Sequence, residues 1–186
     1  SAQAAAVSFN DFNGDGTGFN VGTQETGPTG LAFNNDGTKM FVLGQGGDDV
    51  NEYNLSTAFG LSTAVFRDFN GDGTGFSVAA QDNIPRGVAF NNDGTKMFVL
   101  GHTGKDVNEY TLSTAFDVST AVFRDFNGDG TGFSVNAQDT GPRGLAFNND
   151  GTKMFVLGAT GKDVNEYTLS TAFDVSTAVF RDINGD

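Results

Sequence analysis

Short alternating or wholly apolar runs, cut by glycine- and asparagine-rich turns, pattern the chain from end to end. "GVAF" (Gly87 to Phe90) alternates and stops at "NNDGT", whose Asp93-Gly94 step is a tight-turn signal. "KMFVL" (Lys96 to Leu100) is continuously apolar after its lysine, the pattern of a strand covered on both faces. Past the turn "GHTGK", "DVNEYTLS" (Asp106 to Ser113) alternates Val, Glu and Thr against Asn, Tyr and Leu. "TAVFRDF" (Thr120 to Phe126) predicts a fourth strand, and "GFSV" beyond it extends a hairpin. No segment carries a sustained helical period, so the chain is expected to be all-β.

This order repeats every 57 residues without insertion or deletion: "GLAFNNDGTKMFVLG" at Gly30 returns at Gly87, as "GVAF…", and at Gly144. Four consecutive antiparallel strands in a unit of this length describe a propeller blade. The words "AFNNDGTKMFVLG…DVNEYTLSTAFDVSTA" resemble the bacterial, largely extracellular β-propeller repeats related to the YVTN and WD40-like groups. There "AF…DGTKMFV" resembles the first hairpin of a blade. The resemblance covers essentially the whole chain and implies a β-propeller-type repeat of three 57-residue, four-stranded blades plus an extra terminal strand. The expected layout is one repeat domain over 1–186, with a fourth-strand copy at 6–19 and blades near 20–76, 77–133 and 134–186. Such a fold hosts enzymes, lectins and scaffolds alike and leaves function open.

The first three strands occur three times, but the fourth occurs four times: at Ala6 to Phe12, Ala64, Ala121 and Ala178. A surplus strand either completes the last blade of a closed ring or pairs with a neighbouring chain, because an unpaired edge is a template for pairing. Self-association is therefore expected, as two chains in a six-bladed ring or as a contact that does not close and gives a filament. The other reading makes the chain a piece of a longer array.

Composition narrows the partners. A net charge of −13 repels phosphate backbones and anionic headgroups, which argues against nucleic acid and bare membrane. No run of 18 apolar residues exists to be inserted into a bilayer. "SAQAAAV" at the start has no basic region or apolar core, so it is not an intact signal peptide, although it fits a remnant of cleavage. The absence of cysteine excludes a disulfide framework. With His102 as the single histidine, and Gln45 and Ala159 at its repeat equivalents, a catalytic triad or a zinc set is excluded as well. The carboxylates repeat threefold with their neighbours, whereas an active site needs one asymmetric pocket, so no enzyme is expected.

"DFNGDGTGF" stands at Asp11, Asp68 and Asp125, and a shortened "DINGD" at Asp182. Its D-x-N-x-D-G spacing gathers three side-chain oxygens on one tight loop, about half of a calcium shell. The loop resembles the "DFNGDG" of FG-GAP repeats in integrin-type propellers, where a related loop holds calcium. That resemblance implies Asp11, Asn13 and Asp15, then Asp68, Asn70 and Asp72, then Asp125, Asn127 and Asp129 as ligands. Where that family carries an acid at the ninth position, this chain has Phe19, Phe76 and Phe133. Asp82 and Asp139, with Glu25 in the first repeat, lie farther on. The alternatives are structural calcium and a plain hairpin turn.

"VNEY" also recurs, and Glu52, Tyr53, Glu109, Tyr110, Glu166 and Tyr167 either line one ligand pocket per blade or pack, with Tyr between blades and Glu paired to a nearby base. Arg67, Arg124 and Arg181, each preceding a loop aspartate, are expected to neutralise local acid, and Phe66, Phe69, Phe90 and Phe98 with their equivalents to fill the core. Taken together, the sequence leads us to expect a non-catalytic extracellular or cell-surface assembly subunit that self-associates through its terminal strands, with calcium in its loops. The alternative is a multivalent, lectin-like module for glycans or cell-surface components.

Overall fold

In the computed structural model, residues 8–12 and 14–183 are described. They form three antiparallel sheets, each built in chain order. The first runs β1 (Pro28–Phe33), β2 (Lys39–Gly44), β3 (Asp49–Leu55) and β4 (Ala64–Phe66), with β5 (Phe76–Ser77) pairing back onto the start of β3. The second holds β6 (Pro85–Phe90), β7 (Lys96–Gly101), β8 (Asp106–Leu112), β9 (Ala121–Phe123) and β10 (Phe133–Ser134), which pairs with β8. The third orders β11 (Pro142–Phe147), β12 (Lys153–Gly158), β13 (Val164–Leu169) and β14 (Ala178–Phe180).

Local chemistry sets the hairpins. In the first turn, Asn34 Oδ1 accepts from the Lys39 N–H, and Asp36 Oδ1 accepts from the Thr38 N–H and hydroxyl. Gly37 has φ +72°, and a Cβ there would stand 2.3 Å from the Phe59 ring, so both conformation and space demand glycine. Phe59 itself sits at φ +56°, with Phe116 at +53° and Phe173 at +54° in the other sheets. Each is fixed there by its N–H donating to the carbonyl of the turn glycine it covers. Such left-handed residues cost about 1 kcal/mol or more, offset here by packing.

The three sheets converge at their first strands. A Cβ on Gly30 would lie 3.3 Å from the Val88 nitrogen, and one on Gly87 3.3 Å from the Leu145 nitrogen, so these glycines permit backbone contact between sheets. Farther out, rings fill the widening wedge. Phe41 meets Phe90 at 4.4 Å between centroids, and Phe98 meets Phe147 at 4.5 Å. The strands β2 and β7 are therefore buried on both faces, as their unbroken apolar runs predict, while β12 with the same run leaves Leu157 exposed.

Several elements differ from expectation. The fourth strand is only three residues, because the Arg67 and Arg124 N–H groups make one last bond to the Glu52 and Glu109 carbonyls before the chain leaves. "GFSV" contributes two strand residues that pair with the third strand rather than the fourth. β8 alternates in sequence yet is buried on both sides, since a neighbouring sheet covers its outer face. For the surplus N-terminal strand, Ala6 and Val7 lie outside the described residues, and 8–12 form no strand. Asn184 and Asp186 of the shortened loop also lie outside them.

Candidate functional site at the convergence of the first strands

The repeated loops close on their own backbone. Asp68 accepts from the Gly71 N–H at 2.6 Å and the Gly73 N–H at 3.2 Å, and Asp125 does the same with Gly128 and Gly130. In the first copy Asp11 accepts from Gly14 and Gly16, while Asn13 lies outside the described residues. Asp72 and Asp129 accept from the following threonine's N–H and hydroxyl, which holds both carboxyls below the usual range. Asp15 likewise accepts from Thr17. Asn70 and Asn127 are exposed. Among the described residues, no three His, Cys, Asp or Glu side chains gather as a metal site.

The VNEY residues are packed. Tyr53 lies edge-on between Phe19 and Phe66, and burial pushes its hydroxyl up to about 12. Tyr110 and Tyr167 repeat the arrangement, with hydroxyls donating to Gln81 and Gln138 at 3.1 Å. Glu52 is enclosed between Lys39 at 2.7 Å and Arg67 at 3.2 Å, and it accepts from the Val118 N–H of the next sheet. Glu109 does the same with Lys96, Arg124 and the Val175 N–H. Glu166 reaches a cleft of about 500 Å³ with Asp163, Asn165 and Arg181, on a face that no further sheet covers among the described residues. A ligand could reach Glu52, Glu109 or Tyr110 only by parting the sheets, and Tyr53 only by displacing Phe19 and Phe66. Arg67 and Arg124 bridge sheets too, donating to Asp117 and Asp174 at 2.7 Å.

The structure brings other residues together at the start of the innermost strands. In each sheet the pairing slips by one residue after the strand's proline, leaving Thr29, Arg86 and Arg143 at three equivalent bulges. Thr29 donates to the Pro85 carbonyl of the adjacent sheet at 2.7 Å. Arg86 is half-buried, and its enclosed Nε takes no partner among the described residues; Arg143 is exposed. His102 is anchored alongside, its N–H donating to the Ile84 carbonyl at 3.1 Å, and its enclosed Nδ1 is also without a partner.

Buried carboxylates brace this rim. Asp82 accepts from Ile84 and Gly104, and Asp139 from Gly141 and Gly161. Burial pushes the Asp139 carboxyl up, but those N–H groups outweigh it and leave it below the usual range. Nothing in the sequence pattern marks the two arginines. They became visible only through the bulge register and the convergence of the first strands.

No family model and no curated protein sequence matches the chain. Solved structures do resemble it. A protein from Bacteroides uniformis named as a 6-phosphogluconolactonase superposes with TM-score 0.55 at 10% identity, over 83% of this chain and 39% of its own. The periplasmic gluconolactonase of Pseudomonas aeruginosa gives 0.55 at 15%, over 84% and 41%. A chain of a nidogen/laminin complex gives 0.51 at 12%, over 82% and 47%. The fold is thus of the β-propeller type, and the chain spans less than half the length of these structures. The first two carry lactonase names rather than those of assembly subunits. That overturns the expectation of a non-catalytic, non-enzymatic subunit self-associating through its terminal strands, together with its lectin-like alternative.

Proposed function

We propose that the chain forms three blades of a propeller whose axial mouth takes a small anionic hydroxy acid or its lactone, and that the complete ring hydrolyses such a lactone. The observation that carries this reading is the pair of arginines at equivalent bulges of β6 and β11, one with an enclosed, unpartnered Nε. In a chain of net charge −13, the two guanidiniums stand on the innermost strands beside the buried carboxylates Asp82 and Asp139. Their planar donor forks suit a carboxylate or phosphate. The neighbours' names supply the substrate class, a sugar-acid lactone with or without phosphate.

In lactone hydrolysis water adds to the ring carbonyl, the ring C–O bond breaks, and the leaving alkoxide takes up a proton. Arg86 and Arg143 hold the phosphate of a phosphorylated lactone or the carboxylate of the product, and the His102 imidazole on the same rim moves the proton of the attacking water. Further blades complete the mouth. On this reading the protein works outside the cell or at its surface, as its resemblance to extracellular propeller repeats suggests. A structural calcium at the DFNGDG loops would draw on Asp68, Asn70 and Asp72 and on Asp125, Asn127 and Asp129.

The test is proton release from glucono-δ-lactone and 6-phosphogluconolactone. Arg86→Ala and Arg143→Ala should raise KM for 6-phosphogluconolactone about tenfold, the value of a charge-assisted contact, and change KM for the uncharged glucono-δ-lactone little. His102→Ala should lower kcat about a hundredfold. Hydrolysis no faster than in buffer rejects the reading.

A further inference from the structure

We infer that the outer face of the third sheet is a docking surface for the first sheet of a second copy of this chain, so that two chains close one ring. The protein makes such a junction twice within one chain. Across the first junction Phe41 packs on Phe90 and Phe116, Lys39 donates to the Phe116 carbonyl, and the Val118 N–H donates to Glu52. Across the second, 57 residues on, Phe98 packs on Phe147 and Phe173, Lys96 donates to the Phe173 carbonyl, and the Val175 N–H donates to Glu109. The third sheet repeats the giving half of this junction in Lys153, Phe155 and Glu166. The first sheet repeats the receiving half in Phe33, Phe59 and the Leu61 N–H.

Among the described residues both halves are bare, and both are preset. Leu157 and Val164 are 49% and 56% exposed, while their equivalents Leu43, Val50, Leu100 and Val107 are fully buried. At the other end Leu31 is 61% and Phe59 57% exposed, against 7% for Val88 and 9% for Phe173. The Phe33 and Phe59 rings already stand 5.4 Å apart, matching 5.5 Å for Phe90–Phe116 and Phe147–Phe173. Beside them lies an apolar hollow of about 370 Å³ lined by Phe19, Val21, Leu31, Met40, Val42 and Leu61. Leu43 and Val50 pack in the corresponding place of the first junction, so Leu157 and Val164 of a second copy would fill it. Exposed apolar knobs at one end and a matching hollow at the other are the two halves of one interface. A head-to-tail contact made twice about a twofold axis closes a ring. This differs from pairing of terminal strands, since sheet faces, not edges, meet.

One position departs from the template. Gly60 stands where Asp117 and Asp174 receive Arg67 and Arg124, so Arg181 finds no such acid across the new junction. The Gly60 backbone, at φ −89°, ψ 91°, falls near that of Asp117, at −116°, 97°, and a Cβ there would stand 3.0 Å from the Thr57 Cβ and 3.1 Å from its carbonyl oxygen, so Thr57 must shift by a few tenths of an ångström to admit the aspartate.

Sedimentation of the 186-residue chain over a range of concentrations is the test. The expected mass is twice 19.4 kDa. Leu157→Asp should shift it to the monomer with its β circular dichroism intact, whereas Val65→Asp, on an exposed outer strand, should leave the dimer. Gly60→Asp should tighten the dimer about tenfold, from a partly exposed ion pair gained at each of the two junctions. A monomer at every concentration, a polymer that lengthens with concentration, or a mass unmoved by Leu157→Asp overturns the inference.

Discussion

Replacing Phe98 by alanine removes the ring at the centre of the junction between the second and third sheets. Phe98 is fully buried and meets Phe147 at 4.5 Å and Phe173 at 6.4 Å. A buried phenylalanine removes about 200 Å² from water, worth about 5 kcal/mol at 25 cal/mol/Å² as an upper estimate. Measured Phe→Ala changes in cores cost about 3–5 kcal/mol, because the cavity only partly collapses. We expect a loss of about 4 kcal/mol, or about 8–16 °C in Tm for a chain of this size. Urea unfolding followed by far-ultraviolet circular dichroism reads it directly, and the loss should not change with protein concentration. Phe155→Ala changes the same word, "KMFVLG", where the ring is only half-buried within one chain. Its cost at low concentration should be about half as large and should grow as protein concentration rises. A loss below about 1.5 kcal/mol for Phe98→Ala, or equal losses for both at low concentration, would refute the packing argument.

Other perturbations probe the polar half of the design. Glu109→Gln leaves Lys96 without its carboxylate and Arg124 with Asp174 alone, and should cost about 2–3 kcal/mol in the same urea assay, discounted because both cations are partly exposed. Burial raises the Asp49 and Asp106 carboxyls against the N–H groups of Gly75 and Gly132, so the folded state binds protons more tightly there. Stability from these two should rise as pH falls from 7 toward the ordinary carboxyl range, and Asp106→Asn should flatten that rise in Tm. Asp117 and Asp174 run the other way: burial raises them, but bonds from Ser119 and Arg67, or from Arg124 and Ser176, outweigh it. Their contribution is complete above about 4 and should vanish as pH falls through their depressed folded values, so Tm should drop steeply there. Asp125→Ala deletes two backbone hydrogen bonds of an exposed loop and should lower Tm by about 1–2 °C.

Much of the fold was legible in the sequence because repetition amplified weak local signals. "KMFVL" and "NNDGT" would each be ambiguous alone, but their return at a fixed spacing left little freedom for anything but hairpins. The alternation in "DVNEYTLS" was legible as a strand and misleading as a guide to exposure. One face of β8 packs on the first sheet and the other on the third, so its Val107, Asn108, Glu109 and Tyr110 became core. The candidate site was not legible. Thr29, Arg86 and Arg143 gain their position from a one-residue slip in pairing and from glycines that bring first strands together, and neither feature has a local sequence signature. Phe59, Phe116 and Phe173 were hidden for a similar reason, since nothing in "TAF" announces a left-handed phenylalanine.

Isothermal titration calorimetry of gluconate and 6-phosphogluconate tests the proposed axial site most directly. We expect saturable binding to the wild-type chain, weakened about tenfold by Arg86→Ala and unchanged by Arg124→Lys, which lies in a junction between sheets. Heat that never saturates, or binding that Arg86→Ala leaves intact, would contradict an anion site at the convergence of the first strands.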